Sequence, residues 1–214
     1  MFVFTFAAMT IVSPYLTFPA ISWWARVVNA DSVIFDTAEH FQKMTFRNKY
    51  HIGGANNSNK LSVPLINGRN QRVPMQEVRI HNEDRWQVQH WRTIISVYRR
   101  TPYFEHYEKS LQPLFEKQFK SLIDFNKATI QWAKEQLKLQ FEEQEAYAFI
   151  KDYPPEIIDL RFQKFQEIVF PHYHQVFEDR IGFLPGLSIL DLLFSEGPRA
   201  KVYLDGVAAS YLRD

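Results

Sequence analysis

The sequence predicts an α/β fold: a small N-terminal mixed sheet that opens as a βαβ unit and is covered by several helices from the C-terminal two thirds. Three observations carry this. Up to about His81 the apolar residues come in short, β-branched or alternating runs; from Trp86 onward their period changes to 3.6; and most prolines and glycines fall between the runs.

Thr10 to Leu16 reads as a central strand, because a short apolar β-branched run broken by proline suits a buried strand better than a helix. After Pro19, AISWWARVVNA carries apolar residues at helical spacing, with the proline where a first turn tolerates one. Ser32 to Phe35 supplies the next strand and completes the βαβ unit. Two further strands, Phe46 to Ile52 and Leu61 to Ile66, flank the turn-rich GGANNSNK, and Val78 to His81 adds a short edge. Alternation in FRNKYHI sets Phe46, Asn48, Tyr50 and Ile52 on one face and Arg47, Lys49 and His51 on the other.

WQVQHWRTIISVYRR is a helix ending near Thr101-Pro102, and a second covers Tyr103 to Ser110. A long third runs from Pro113 to about Leu139 on a stripe of Leu122, Asn126, Ile130, Ala133 and Leu137. In LSILDLLFSEGP, Ser188 with Asp191 three residues on reads as a capping box, and Gly197-Pro198 as the stop. With no repeat, low-complexity segment or linker, residues 1–214 read as one domain; residues 1–8 become an extension if Met9 is the start.

Composition narrows the chemistry. Of 214 residues, 46% are hydrophobic and none is cysteine, so the core needs no staple, and thiol nucleophiles, CxxC redox chemistry and Cys-ligated metals are excluded. GxGxxG, GxxxxGK[ST], GxSxG and HExxH are all absent. Met1 to Ala25 carries no charge, but Pro14 and Pro19 interrupt it and its longest apolar piece is too short for a bilayer. A buried strand in a cytoplasmic protein with no membrane span is therefore expected.

Between Lys43 and Arg100, eleven basic residues stand against Glu77, Glu83 and Asp84, a local +8 in a chain of net +1. Either the rest of the chain neutralises that stretch across the folded surface, or it marks an anion site. Without a lysine run, basic tail or zinc finger, a phosphorylated metabolite or sugar nucleotide is a better partner than nucleic acid. Asp36 ends a predicted parallel strand, where open α/β sheets place ligands, although an aspartate there also serves as a turn residue. Arg47 and Lys49 lie on a polar strand face, and His90 and Arg92 flank Trp91. These groups are expected to converge on one anionic ligand: arginine binds it, His90 moves a proton, and Asp36 orients His90 or a sugar hydroxyl. His172 and His174, near Glu178 and Asp179, are a weaker metal pattern, and no metal is expected.

The succession SPYLTFPAISWW, ADSVIFD, FQKMTFRNKYHI, LSVPL, VQHWRTIISVYRRTPYFEHY, LIDFN and GFLPGLSILDLLFSEGP resembles the WbqC-like family of bacterial proteins, from about Met9 to Leu204. The resemblance implies a role in O-antigen or other surface-polysaccharide biosynthesis, modifying an amino sugar. Its polar signature falls on Asp36, Arg47, Asn48, His90, Trp91 and Arg92. The leading expectation is an acyl or aminoacyl transferase acting on a nucleotide-linked or phosphorylated sugar. Asp36 and His90 would be catalytic, with Arg47, Asn48, Lys49, Trp91 and Arg92 holding the substrate. From a different class comes a non-catalytic binding protein of a cell-envelope assembly. Neither residues nor resemblance assigns a cofactor or an oligomeric state.

Overall fold

The computed structural model describes residues 8–162 and 169–211. Residues 1–7 of the expected extension lie outside them. The opening strand β1 (Thr10–Ser13), helix α1 (Ile21–Val27) and strand β2 (Ser32–Asp36) form the anticipated βαβ unit, with β1 and β2 parallel from Thr10 opposite Ser32 to Ser13 opposite Phe35. β1 ends three residues earlier than the apolar run, because Pro14 has no N–H to extend the ladder. Ile11 and Val12 are fully buried on it, and Trp23 of α1 donates its indole N–H to Ser13 Oγ at 2.8 Å.

The sheet departs from expectation in its partners. It is wholly parallel, not mixed, and two of its strands come from beyond the first helices. The ribbon of β3 (Lys49–Ile52) and β4 (Asn59–Ser62) is antiparallel and separate, while β5 (Glu142–Ala146) and β6 (Ile158–Asp159) give a four-stranded order β5-β2-β1-β6. β5 reads EEQEA and has no apolar run to announce it; what holds it is register against β2 and charge. Glu143 meets Lys134 at 2.6 Å and Glu145 meets Lys127 at 2.7 Å. Charged side chains also suit a strand with one open edge.

Helices α2 (Trp86–Tyr98) and α3 (Phe104–Leu111) follow the 3.6 period. The long third helix is two pieces, α4 (Pro113–Glu116) and α5 (Leu122–Gln136). Between them the chain extends to pair with the predicted edge at Val78 to His81: Ile80 N–H donates to Lys120 O at 2.9 Å and Leu122 N–H to Val78 O at 3.0 Å. Tertiary pairing overrides helix propensity there. α6 (Glu178–Ile181), α7 (Ile189–Glu196) and α8 (Ala200–Tyr211) complete the described helices.

Ser188 caps α7, its Oγ accepting from Leu190 N–H at 3.3 Å. The capping box is not reciprocal, because Asp191 turns into the core. Its carboxylate accepts from Tyr98 Oη at 2.7 Å, Tyr173 Oη at 2.6 Å and Gln175 Nε2 at 3.1 Å, while burial pushes its pKa up. Gly197 ends α7 at φ 53°, and a Cβ there would sit 2.5 Å from the Tyr103 ring, so both backbone and packing demand glycine.

Candidate active site at the carboxyl edge of the sheet

In an open parallel sheet the carboxyl ends of the strands face ligands, and the crevice lies where successive connections run to opposite sides. Here β1 is that point, with β2 and β5 on one side and β6 on the other. A cleft of about 490 Å3 opens there. Pro14 and Leu16 follow β1, Leu160 to Phe162 follow β6, and Gln42 with Met44 to Arg47 form the third wall.

Buried amides fix those walls. Asn126 of α5 donates from Nδ2 to Tyr15 O at 3.0 Å and to Arg47 O at 2.7 Å. Thr17 Oγ1 lies 2.6 Å from Asn126 Oδ1 and 2.9 Å from Arg47 O. The asparagine in an otherwise apolar stripe therefore ties the segment after β1 to the turn before β3. Both chains stay in place because unmaking buried hydrogen bonds is costly.

Behind the cleft lies a five-charge network. Arg47 donates from Nε and Nη2 to the two Glu39 oxygens at 2.7 and 2.6 Å, with both side chains at most 3% exposed. Burial pushes the Glu39 carboxyl up, against the pull of Arg47. Arg161 bonds Asp36 at 2.6 Å through Nη1 and Asp159 at 2.6 Å through Nη2. Burial opposes its charge, but Asp159 and Asp36 hold its pKa above the ordinary arginine range. With further bonds to Ile150 O and Lys151 O, all five Arg161 N–H donors are engaged. On Arg47, Nη1 has no partner among the described residues, which leaves it as the guanidinium nitrogen available to a ligand.

The residues expected from the sequence divide accordingly. Asp36 and Arg47 belong to this network, but the Asp36 carboxylate accepts from Ala38 N–H, Glu39 N–H and Arg161. Arg47 precedes the strand and faces inward, so it is not the exposed strand arginine that alternation suggested. Asn48 closes the β3–β4 ribbon by donating to Val63 O at 2.9 Å. The Nζ of Lys49 lies 3.7 Å from the sulfur of Met44, a cleft-lining residue. His90 is buried, with Nδ1 3.0 Å from Tyr50 Oη and its ring against Trp86; burial pushes its pKa down to about 4. Trp91 stacks on Phe104 and Phe115. Arg92 lines a separate cleft with Arg99 and Arg100. The expected convergence of Arg47, His90 and Arg92 is thus absent among the described residues, because the helix that carries the last two packs its His90 face into the core.

Glu39, Asp159 and Arg161 were not anticipated. Glu39 lies eight residues before Arg47, across a turn that no short-range pattern reveals, and Arg161 follows a strand, Ile158–Asp159, too short to read. His172 and His174 both approach Glu178, and no group of metal-binding side chains occurs among the described residues.

A parallel sheet whose order reverses at β1, with a cleft over that reversal, defines an α/β protein with the ligand geometry of open-sheet enzymes and binding proteins. The model of the WbqC-like protein family matches residues 14–153 and 143–203, so the chain belongs to that family. No curated protein and no solved structure matches it.

Proposed function

We propose that this protein acts in surface-polysaccharide biosynthesis of the O-antigen type, binding a nucleotide-linked or phosphorylated amino sugar in the carboxyl-edge cleft as an acyl or aminoacyl transferase. The supporting observation is Arg47: Glu39 holds two of its nitrogens in a bidentate fork, and Nη1 is left as a preoriented donor at the cleft. A charge-assisted bond to a phosphate oxygen suits such a group. Phe46 and Phe162 add apolar wall for a sugar face. Acyl transfer to the sugar amine would form a C–N bond, break the bond from the acyl carbonyl to its leaving group and release the amine proton. No lining side chain among the described residues is a carboxylate or imidazole, so the leaving group or water would take that proton. In this reading the chain's contribution is binding and orientation.

A second reading, a non-catalytic binding protein of a cell-envelope assembly, is favoured by exposed apolar side chains: Phe162 on the cleft wall, 59% exposed, and Tyr147 and Phe149 just after β5, 71% and 50% exposed. Calorimetric titration with sugar 1-phosphates and nucleotide sugars, followed by mass-spectrometric assay with acyl and aminoacyl donors, separates the two. Binding with a mass increase on the amino sugar supports the transferase, binding without transfer supports the second reading, and no binding refutes the cleft as a sugar-phosphate site.

A further inference from the structure

The wall formed by residues 41–47 has two sides. One faces the carboxyl-edge cleft; the other faces a second cleft of about 540 Å3 between Phe41 to Lys43 and Asn70 to Arg72, and Gln42 lines both. The backbone accounts for this. Residues 37–41 run alongside 73–76, with Met75 N–H donating to Glu39 O at 2.8 Å, Gln76 N–H to Thr37 O at 3.0 Å and Phe41 N–H to Val73 O at 2.9 Å. That pairing places Arg72 in the same cleft as Lys43. Immediately afterwards the chain reverses: Met44 takes φ 64°, left-handed for a non-glycine residue, and Thr45 Oγ1 donates to Gln42 O at 2.6 Å. The reversal sends Lys43 to one cleft and Met44 to the other. Strain of this kind persists where its surroundings enforce it, and it concentrates at ligand clamps.

Charge distinguishes the second cleft. Lys43 and Arg72 are exposed, and among the described residues neither is in an ion pair and no acidic side chain lines the cleft with them. Arg47, across the ridge, is committed to Glu39 through two nitrogens. An anchored cation on one side and two unneutralised cations on the other match a ligand with successive phosphates better than one with a single phosphate.

Resting on the reading above, we infer that the two clefts are subsites for one bipartite ligand, a nucleoside-diphosphate sugar: the sugar and its first phosphate beside Arg47, the second phosphate and nucleoside across Gln42 between Lys43 and Arg72. The Lys43/Arg72 cleft then selects nucleotide-linked over simply phosphorylated sugars.

The test is calorimetry on the full chain with three probes: N-acetylglucosamine 1-phosphate, UDP-N-acetylglucosamine and UDP. For the unaltered protein, the nucleotide sugar should bind at least tenfold more tightly than the sugar 1-phosphate. Reversing both exposed cations (Lys43→Glu with Arg72→Glu) should remove that advantage and UDP binding while leaving sugar 1-phosphate affinity within about twofold, and an unchanged melting curve would verify the fold. If the unaltered protein binds both sugars equally, or the double variant loses both equally, the second subsite is wrong while the first stands. If the unaltered protein binds neither sugar, both readings fail. If the double variant unfolds, Lys43→Gln with Arg72→Gln gives the same comparison, and an undiminished preference in it overturns the inference.

Discussion

Replacing Arg47 by alanine would leave Glu39 buried without its counter-ion. An exposed arginine usually costs under about 0.5 kcal/mol to remove, but this one is side-on to a carboxylate at 2.6 to 2.7 Å, in a pair at most 3% exposed. Removing one partner from such a pair typically costs about 3–5 kcal/mol, chiefly because the survivor is buried and charged. Glu39 has an escape by taking up a proton, which its burial already favours. Without Arg47 its folded pKa rises further above the unfolded value. Between those two values the folded state then binds more protons than the unfolded one, so the variant's stability falls as pH rises through that window. The loss should therefore be larger at pH 8 than at pH 5. Urea unfolding followed by tryptophan fluorescence at both pH values measures it, and Arg47→Met with Glu39→Gln should recover a large part. A loss below about 1 kcal/mol at pH 8, or a pH dependence of opposite sign, would refute the buried pair.

Three more expectations concern the frame around the site. His90, with its pKa near 4, should not titrate between pH 5 and 8 by NMR; a midpoint near 6.5 would place it in water. Because that folded pKa lies below the unfolded one, its contribution to stability is complete above pH 6.5 and is lost toward pH 4, by up to about 1.4 kcal/mol per pH unit. Ile11→Ala should cost about 2–5 kcal/mol in denaturant melts, since Ile11 is fully buried on a central strand, whereas a change under 1 kcal/mol would make β1 peripheral. Ser188→Ala should cost about 1 kcal/mol, from the lost cap on α7, and Ser188→Gly less; equal losses would assign the effect to packing.

Local rules were enough for β1, α1, β2 and α2, where periodicity and proline placement coincide with what tertiary contacts require. They failed where the partner lies far along the chain. EEQEA has no strand signature of its own, and only the free edge of β2 makes it one. The same limit governs the site. Alternation set Arg47 on an exposed face opposite Tyr50, yet both are buried: the chain has not entered the strand at Arg47, and Glu39 waits behind it. For His90, a place beside Trp91 suggested a group open to a ligand, yet Trp86 one turn earlier and Tyr50 of the ribbon enclose it. The charge excess was legible as a pattern, but its division between Arg47, paired with Glu39, and Lys43, Arg72, Arg92, Arg99 and Arg100, which form no ion pair among the described residues, required the fold.

The pairing of β2 with a strand that begins at Glu142 also bears on synthesis. As the chain leaves the ribosome, β1 and β2 emerge with both flanks of their two-stranded unit open, and about a hundred residues must follow before β5 exists. At about 5–20 residues per second this interval lasts about 5 to 20 seconds, with buried-type segments such as TIVS and SVIF uncovered. The all-parallel, long-range sheet therefore makes the nascent N-terminal half a natural client for chaperones that hold apolar strands. A ribosome-stalled fragment ending near Leu137 should remain protease-sensitive, and one extended past Leu160 should gain protection.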